Sequence, residues 1–351
     1  MIDIKKPYLI GETAFHHEGD FEFLKKLIDE GFILEFDALK FHLLFNLDNY
    51  FVADHKAYKA LSELMIKKEH WLEVHELMSS SDTDVIYLCN EIESLKWVNS
   101  LKTGSVAAIE IHATGINDIY LLKEACAFKG TVILGTGGST IDEISFAIDI
   151  LKKGGQKDIL LMHGFQSYPT DYKDIVFSKM QLLEEVFKLP IGYADHTDPQ
   201  DPANAFVSCI PQAMGFKVLE KHFTIAPGEK RVDSQSAVDN DQIKAIKTLM
   251  ENISLSHGEN PLHMSKAELK YGDTGPMKKA IVAKSDIKKG TTLNLEHLIF
   301  KRTNESIPVA QKDIGLFIGC ETTEDIERDE AITFQKVKYH HSVSDFSQFK
   351  L

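Results

Sequence analysis

The sequence has few cysteines and no long apolar run, and these shortages exclude several classes of protein. Four cysteines are spread over 351 residues, and none forms a Cys-x-x-Cys pair, so we expect reduced thiols and no disulfide framework. No stretch approaches the about 18 consecutive apolar residues of a membrane-spanning helix, and the N-terminus has no apolar signal segment. The sequence therefore predicts a cytoplasmic protein with no membrane partner.

Basic residues are also in short supply. There are 39 lysines and arginines against 53 aspartates and glutamates, which gives a formal net charge of −14. This balance argues against a nucleic-acid binder, which needs a basic face, but it leaves room for a local basic pocket that binds a small anion. The hydrophobic share of 43% and the charged share of 26% are those of a globular protein. The length predicts about two domains.

From about residue 8 to residue 255, short β-rich runs alternate with segments of helical period. The β-rich runs are Tyr8–Glu12, Phe36–Leu43, Asp84–Asn90, Ala107–Ala113, Val132–Gly137, Ile159–Phe165, Ile191–Thr197 and Val218–Thr224. Eight such units in about 250 residues match a (β/α)8 TIM barrel. A doubly wound open sheet shows the same alternation, but no Gly-x-Gly-x-x-Gly follows the first run, which favours the barrel.

Two of the helical segments carry clear signals at their ends. Asp20 can cap the start of a helix that we expect to stop at Gly31. Thr140 and Glu143 fit a capping box at the start of another helix, and Gly154 fits its end. Such signals place the turns between the β-rich runs.

The alternation breaks after about residue 257, and the rest of the chain predicts a second domain. We expect the barrel in residues 1–265, a linker in 266–278, a small β-rich domain in 279–339 and a polar tail in 340–351. Within the small domain, segments 286–293 and 325–332 resemble each other. Two similar short units of this kind indicate a pseudo-twofold axis.

The active site of a (β/α)8 barrel lies at the carboxyl ends of its strands, so polar residues at those ends are informative. They include Glu12, Lys40, His42, His112, Thr136, His163, Gln166, Tyr168, His196, Lys221 and His222. His196 and His222 end neighbouring strands, and two neutral imidazoles with open positions suit a divalent metal. Alternatively, each of them hydrogen-bonds a neighbouring carboxylate.

The charged residues at the strand ends allow more than one interpretation. Glu12 can orient water or a substrate hydroxyl, or it forms a salt bridge with Lys40 across the barrel mouth. Lys40 and Lys221 can supply local positive charge for a phosphate or carboxylate, although a strand residue next to His222 points to the opposite side. Residues 137–139 (Gly-Gly-Ser) form a candidate anion nest, and a tight turn explains them equally well.

Six motifs resemble those of the N-acetylneuraminate (sialic acid) synthase family, which also makes legionaminic and pseudaminic acids. They are G-E-T-A-F-H-H-E-G at 11–19, D-A-L-K-F-H at 37–42, L-G-T-G at 134–137, Y-P-T at 168–170, A-D-H-T at 194–197 and L-E-K-H-F-T at 219–224. Segments 281–290 and 300–302 look like the antifreeze-like (SAF) domain that ends these enzymes. The resemblance covers nearly the whole chain and implies a TIM barrel followed by a small β-rich SAF domain.

The resemblance implies an enzyme that condenses phosphoenolpyruvate with an N-acyl hexosamine in its aldehyde form and releases phosphate. It implies a divalent metal, typically manganese with magnesium or cobalt as alternatives, on His196 and His222, and catalytic roles for these histidines, Glu12 and Lys40. The expected substrate-binding residues are His42, His112, Thr136, His163, Gln166, Tyr168, Lys221, Asp233 and Arg302. By resemblance, the arginine reaches the partner subunit's sugar, which implies a homodimer with the SAF domain capping the partner's barrel.

The fourth strand departs from the family pattern. The family's K-I-G-S-x-E aligns with residues 110–115 (E-I-H-A-T-G), so a phosphate-binding lysine and serine and a sugar-binding glutamate are absent, and Gly135 replaces another serine. Each lost charge-assisted hydrogen bond costs about 1.5–3 kcal/mol. Two alternatives therefore stay open: a metal-dependent aldolase or lyase on the same scaffold, and a non-catalytic sugar-binding homologue in surface-glycan biosynthesis.

Overall fold

Eight parallel strands close into a barrel in the computed structural model, which describes residues 1–258 and 260–340. The strands are Tyr8–Glu12 (β1), Ala38–Leu43 (β2), Asp84–Cys89 (β3), Ala108–Ile111 (β4), Thr131–Gly135 (β5), Ile159–His163 (β6), Ile191–Asp195 (β7) and Val218–His222 (β8). Each pairs with the next, and β8 pairs with β1. The predicted barrel is confirmed, while the predicted tail 340–351, except for His340, lies outside the described residues.

Helices follow the strands along the chain. They are Phe21–Ile33 (α1), Tyr58–Glu63 (α2), Lys68–Ser79 (α3), Ile92–Ser100 (α4), Ile119–Ala125 (α5), Ile141–Lys153 (α6), Tyr172–Ile175 (α7), Ser178–Phe187 (α8), Asn204–Ala213 (α9) and Asn240–His257 (α10). Most of the predicted strands run one or two residues too far at their carboxyl ends, because the residues there no longer pair with a neighbouring strand. None of the helices in the described part of the chain is long and apolar enough to cross a membrane.

Side chains along each strand alternate between the barrel interior and the helical layer. The interior cluster consists of Ile2, Tyr8, Ile10, Ala38, Ile86, Ala108, Ile133, Leu160, Met162, Ala194 and Val218. Outward residues such as Leu39, Leu134 and Leu219 belong to the larger core beneath the helices. Because apolar side chains fill the interior up to this level, the residues two positions further along the strands form the floor of the space above.

The structure tests the N-cap and glycine-stop signals that the sequence predicts for α1 and α6. Thr140 and Glu143 form the predicted capping box of α6, and Gly154 ends that helix. Asp20 caps α1 as predicted, but this helix continues past Gly31 to Ile33, so the predicted stop is wrong. The glycine is explained by packing instead, since a Cβ at position 31 would lie 2.7 Å from the Leu39 side chain.

A buried ion pair joins β7 and β8 to α9 behind the barrel wall. Lys221 Nζ lies 2.5 Å from Asp195 Oδ2, and both side chains are fully buried. Asp195 also accepts hydrogen bonds from the Thr197 backbone N–H and from the hydroxyls of Thr197 and Ser208. Burial acts to raise the pKa of Asp195, but Lys221 and these hydrogen bonds outweigh it and lower the pKa to about 2. The pair is therefore a structural element of the wall.

Replacing Lys221 by methionine leaves Asp195 buried without a cation. We expect the free energy of unfolding at pH 7 to fall by about 3–5 kcal/mol. The double variant Asp195→Asn/Lys221→Met should lose less, because no buried charge remains. Urea denaturation followed by circular dichroism measures both losses. A loss below about 1 kcal/mol in the single variant, the range of an exposed ion pair, would contradict this role.

The chain divides into two compact units, Met1–Gly258 and the remainder. Within the second unit a helix, Lys266–Gly272 (α11), occupies part of the segment 266–278 that the sequence suggests as a linker. Ala280–Ala283 (β9) then pairs in antiparallel fashion with Leu298–Lys301 (β10). The second unit is therefore a small domain built around short strands and bridges.

The two similar segments of the second unit, 286–293 and 325–332, pair with each other. Their second residues form an antiparallel bridge. The side chain of Asp325 accepts from the backbone N–H of Lys289, and Asp286 accepts from Arg328, the equivalent position of the other segment. This reciprocal pattern gives the local pseudo-twofold relation that the repeated sequence predicts.

Candidate active site

A polar pocket of about 300 Å³ opens at the carboxyl ends of the barrel strands. Its lining includes Glu12, Lys40, His42, Glu110, His112, Thr114, Gln166, Tyr168, His196, Glu220 and His222. Eight of the residues predicted from the sequence are among them. The structure thus gathers most of the candidate residues around one volume, at the face of the barrel where the sequence places the chemistry.

Lys40 is the centre of the pocket floor. Its Nζ lies 2.6 Å from Glu12 Oε2 and 2.6 Å from Glu220 Oε2. A third carboxylate oxygen, Glu110 Oε2, lies 2.8 Å away, and these four side chains are no more than 5% exposed. An ammonium group has three N–H donors; two of them go to Glu110 and Glu220, and Glu12 makes an ion pair without a hydrogen bond of good geometry. The salt bridge considered for Glu12 is therefore present, and its Oε1 also accepts from the backbone N–H of Ala14.

The floor carries more negative than positive charge. Burial alone would lower the pKa of Lys40, but the carboxylates of Glu110 and Glu220 outweigh it and hold the pKa above its ordinary value. Burial raises the pKa of Glu220 to about 7, against the attraction of Lys40 and with a contribution from Glu110. The lysine and its three carboxylates have a formal charge of −2 when all are ionised. A proton on Glu220 reduces this to −1.

His196 and His222 lie side by side above the floor. Their ring centroids are 5.1 Å apart, and the Tyr168 ring contacts both, at 5.1 Å from His196 and 6.0 Å from His222. Burial lowers the pKa of His196 to about 4 and that of His222 well below its ordinary value. Both imidazoles are therefore neutral near pH 7, and their ring nitrogens retain lone pairs.

This pair fits a divalent cation that takes its remaining ligands from substrate or water. Neutral imidazole is a common ligand for divalent transition metals, and neither ring makes a hydrogen bond to another described residue. Within residues 1–258 and 260–340, no cluster of three or more histidine, cysteine or acidic side chains has the geometry of a metal site. A cation held by this pair would therefore take two ligands from His196 and His222 and the others from substrate or water.

His42 and His112 stand on the neighbouring wall, with ring centroids 6.4 Å apart. His42 Nε2 lies 3.6 Å from Glu12 Oε2, and His112 Nδ1 lies 2.9 Å from the Thr114 hydroxyl. Burial lowers the pKa of His42 to about 3 and that of His112 to about 4. Neither histidine therefore supplies positive charge near neutral pH in place of the absent phosphate-binding lysine.

Three predicted substrate-binding residues face away from the pocket. Lys221 pairs with Asp195 behind the wall, Thr136 donates to a backbone carbonyl, and His163 Nε2 lies 2.7 Å from Ile175 O. Each stands one position from a residue that lines the pocket, and neighbouring residues of a strand point to opposite sides. The structure therefore places these three outside the pocket lining, and substrate binding by them stays a prediction.

Asp233 and Arg302 also lie outside the pocket lining. Asp233 is half-buried, burial raises its pKa to about 6, and its charge contributes to a raised pKa of Tyr168. Arg302 belongs to the second unit, where its exposed guanidinium donates to Pro276 O and Met277 Sδ. Asp233 thus has an electrostatic link to the site, while Arg302 has no acidic partner among the described residues.

Sequence reasoning missed Glu220 as a pocket residue and treated Glu110 only as the replacement of a lysine. The alternation of side chains along β8 could have identified Glu220 as a pocket residue. Residues two apart on a strand face the same side, so Glu220 faces the side of His222, and Lys221 faces the opposite side. The contact of Glu110 with Lys40 has no local signal, since it joins residues 70 positions apart.

Replacing Lys40 by methionine leaves three buried carboxylates without their cation. We expect a loss of about 3–5 kcal/mol in unfolding free energy at pH 8. The loss should be smaller at pH 5.5, because the carboxylate pKa values rise and the folded state binds more protons than the unfolded state. Urea denaturation at the two pH values measures this. The change Lys26→Met at an exposed position is the control, and a small, pH-independent loss for Lys40→Met would contradict the account.

A closed (β/α)8 barrel with its polar pocket at the carboxyl ends of the strands is the arrangement of TIM-barrel enzymes. The NeuB family model matches residues 44–261, and the SAF domain model matches residues 278–338. The chain therefore belongs to the NeuB family and carries a SAF domain. Both parts of the resemblance seen in the sequence are confirmed.

Individual relatives extend over nearly the whole chain. An uncharacterized protein of Methanocaldococcus jannaschii is 29% identical over 93% of this chain and 93% of its own length. The N,N'-diacetyllegionaminic acid synthase of Campylobacter jejuni is 28% identical over 94% of this chain and 99% of its own. The crystal structure of an N-acetylneuraminic acid synthetase from Leptospira borgpetersenii has the same fold, with a TM-score of 0.68, 24% identity, and coverage of 76% of this chain and 90% of that one.

Proposed function

We propose that the protein is a nonulosonic acid synthase that condenses phosphoenolpyruvate with an N-acyl amino sugar in its aldehyde form and releases phosphate. The observation that supports this best is the pair of neutral imidazoles, His196 and His222, beside Tyr168 at the mouth of a NeuB-family barrel. The named C. jejuni relative, a legionaminic acid synthase, supports the same product class.

In this reaction the enol carbon of the donor attacks the aldehyde carbon of the sugar. The aldehyde oxygen takes up a proton, water adds to the donor's second carbon, and phosphate leaves with the ester oxygen. A divalent cation, manganese or alternatively magnesium or cobalt, would polarise the aldehyde when held by His196 and His222. The Tyr168 ring contacts both imidazoles and bounds the space beside them. Glu220, with its pKa of about 7, can hold a proton in the same pocket.

We further propose a homodimer in which the SAF domain of one subunit caps the barrel of the other. The support is the family resemblance together with the exposed guanidinium of Arg302, which has no carboxylate partner among the described residues and contacts only Pro276 and Met277. Such a group is free to bind a sugar oxygen supplied by another subunit.

The second candidate is a metal-dependent aldolase or lyase that acts on a non-phosphorylated keto acid. A specific observation favours it: three carboxylates surround Lys40, two of them accepting its hydrogen bonds, and the other cationic candidate, Lys221, faces away from the pocket. A phosphate dianion would enter a pocket whose floor is already negative. A keto acid brings one negative charge instead of two or three, so its electrostatic cost is lower.

Incubation of the protein with manganese, N-acyl hexosamines and either phosphoenolpyruvate or pyruvate tests both candidates. The first predicts phosphate release with phosphoenolpyruvate, and the second predicts pyruvate turnover alone. His196→Ala and His222→Ala should lower the rate at least about 100-fold, since changes around a metal site commonly reach that size, and should abolish binding of Mn²⁺ measured by electron paramagnetic resonance.

His263→Ala is the matched control, because His263 is exposed and lies in the second unit. Its activity and Mn²⁺ binding should equal those of the unchanged protein. No turnover of either donor beside an active control synthase, with Mn²⁺ binding unaffected by the two pocket substitutions, would instead support the non-catalytic sugar-binding homologue.

A further inference from the structure

We propose that Glu110 is an internal competitor for substrate anions: its carboxylate holds a hydrogen bond of Lys40 that an incoming phosphate or carboxylate must take, and it thereby sets the donor selectivity of the pocket. The inference rests on the proposed function only in taking this pocket as the donor site. It applies equally to a phosphorylated and a non-phosphorylated donor.

The first step is the hydrogen-bonding capacity of Lys40. A lysine ammonium group has three donors and no acceptor. Oxygens of Glu12, Glu110 and Glu220 lie 2.6, 2.8 and 2.6 Å from its Nζ. Glu110 and Glu220 accept hydrogen bonds from Nζ, and Glu12 Oε2 lies against it as an ion pair. Carboxylates thus surround the ammonium group, and an anion from solution reaches Nζ only if one of them moves away.

The second step is the lack of an alternative cation. Among the described residues that line the pocket, Lys40 is the one lysine or arginine. Lys221 is buried behind the wall against Asp195. An anionic donor that seeks a charged hydrogen bond from the barrel wall must therefore compete for Lys40.

The third step identifies which carboxylate gives way. Glu12 is held at both oxygens, because its Oε1 accepts from Ala14 N at 2.7 Å. Glu220 Oε2 makes one of the two shortest contacts with Lys40 Nζ, at 2.6 Å. Glu110 makes the longest of the three contacts with Lys40, and its other oxygen makes no hydrogen bond to a described residue.

The surroundings of Glu110 give its side chain room to move. Its Oε1 faces Gly135, where a Cβ would lie 3.5 Å away, and the pocket beside it is lined by backbone at Gly135, Gly137 and Gly138. Glu110 itself lines the pocket of about 300 Å³, so its carboxylate has room to turn into that space. A substrate phosphate or carboxylate could take the place of the Glu110 carboxylate without displacing a bulky neighbour.

Removal of this carboxylate should strengthen anion binding by two routes. Glu110→Ala frees one N–H of Lys40 and removes one negative charge, whereas Glu110→Gln removes the charge but keeps an amide oxygen near the ammonium group. We therefore expect affinity to rise in the order unchanged protein, Glu110→Gln, Glu110→Ala. A single charge-assisted hydrogen bond commonly changes affinity by about tenfold or more.

Isothermal titration calorimetry of the full-length protein measures the effect, with phosphoenolpyruvate, inorganic phosphate and pyruvate as separate titrants and no sugar present. Glu110→Ala should bind at least one of the three about tenfold more tightly than the unchanged protein. The control is Glu93→Gln, which changes the net charge equally at an exposed position outside the pocket lining and should leave all three affinities unchanged.

The titrant with the largest gain identifies the anionic group that Lys40 accepts. Equal affinities in Glu110→Ala, Glu110→Gln and the unchanged protein for all three anions, with thermal melts showing folded protein, would overturn the proposal. Should Glu110→Ala fail to fold, Glu110→Gln decides the question with a shape-conserving change. Calorimetry measures binding and needs no turnover. If the protein shows no synthase activity but its Glu110 variants still bind an anion more tightly, the proposed synthase is refuted and this inference stands.

Discussion

A buried ammonium group is stable only where acceptors surround it, and Lys40 meets this condition with carboxylates from three other strands. Lys40 is on β2, and its partners are on β1, β4 and β8, so one cluster joins half of the barrel strands at the level of the pocket floor. The charge of the lysine offsets only one of the three carboxylates. Everything that enters the pocket therefore meets an acidic floor, and a cation fits it more readily than a free anion.

The same cluster explains the rest of the pocket. Burial keeps His196 and His222 neutral, so they can act as ligands or hydrogen-bond acceptors but add no positive charge. A divalent cation held above the acidic floor would complement its charge. Two neutral imidazoles face this space, while the one lysine of the described lining, Lys40, is already surrounded by carboxylates.

Side chains alternate along each barrel strand, so residues that line the pocket and residues that stabilise the wall follow one another in the sequence. On β8, Glu220 and His222 face the pocket, whereas Lys221 between them turns outward to Asp195. Two buried lysines in one protein therefore have unrelated roles: Lys40 forms part of the site, and Lys221 stabilises the wall. A shift of one residue along the strand decides which role a charged side chain takes.

Much of this could be predicted from the sequence. The eight strands, the pseudo-twofold of the second unit and the gathering of Glu12, Lys40, His196 and His222 follow from periodicity, repeats and the geometry of a barrel mouth. Gly31 could not be predicted correctly, because its role depends on close packing against Leu39. Thr136 and His163 face outward because each lies one position from residues that line the pocket, and the sequence does not show which of two neighbouring polar positions at a strand end faces inward.

The enclosure of Lys40 lies furthest from what the sequence can reveal, since it depends on four side chains from distant parts of the chain. A high-resolution crystal structure of the ligand-free protein tests it most directly. We predict carboxylate oxygens of Glu12, Glu110 and Glu220 within about 3.2 Å of Lys40 Nζ, the limit for such hydrogen bonds. A Glu110 side chain turned away from Lys40, with water or an anion in its place on the ammonium group, would contradict the central claim.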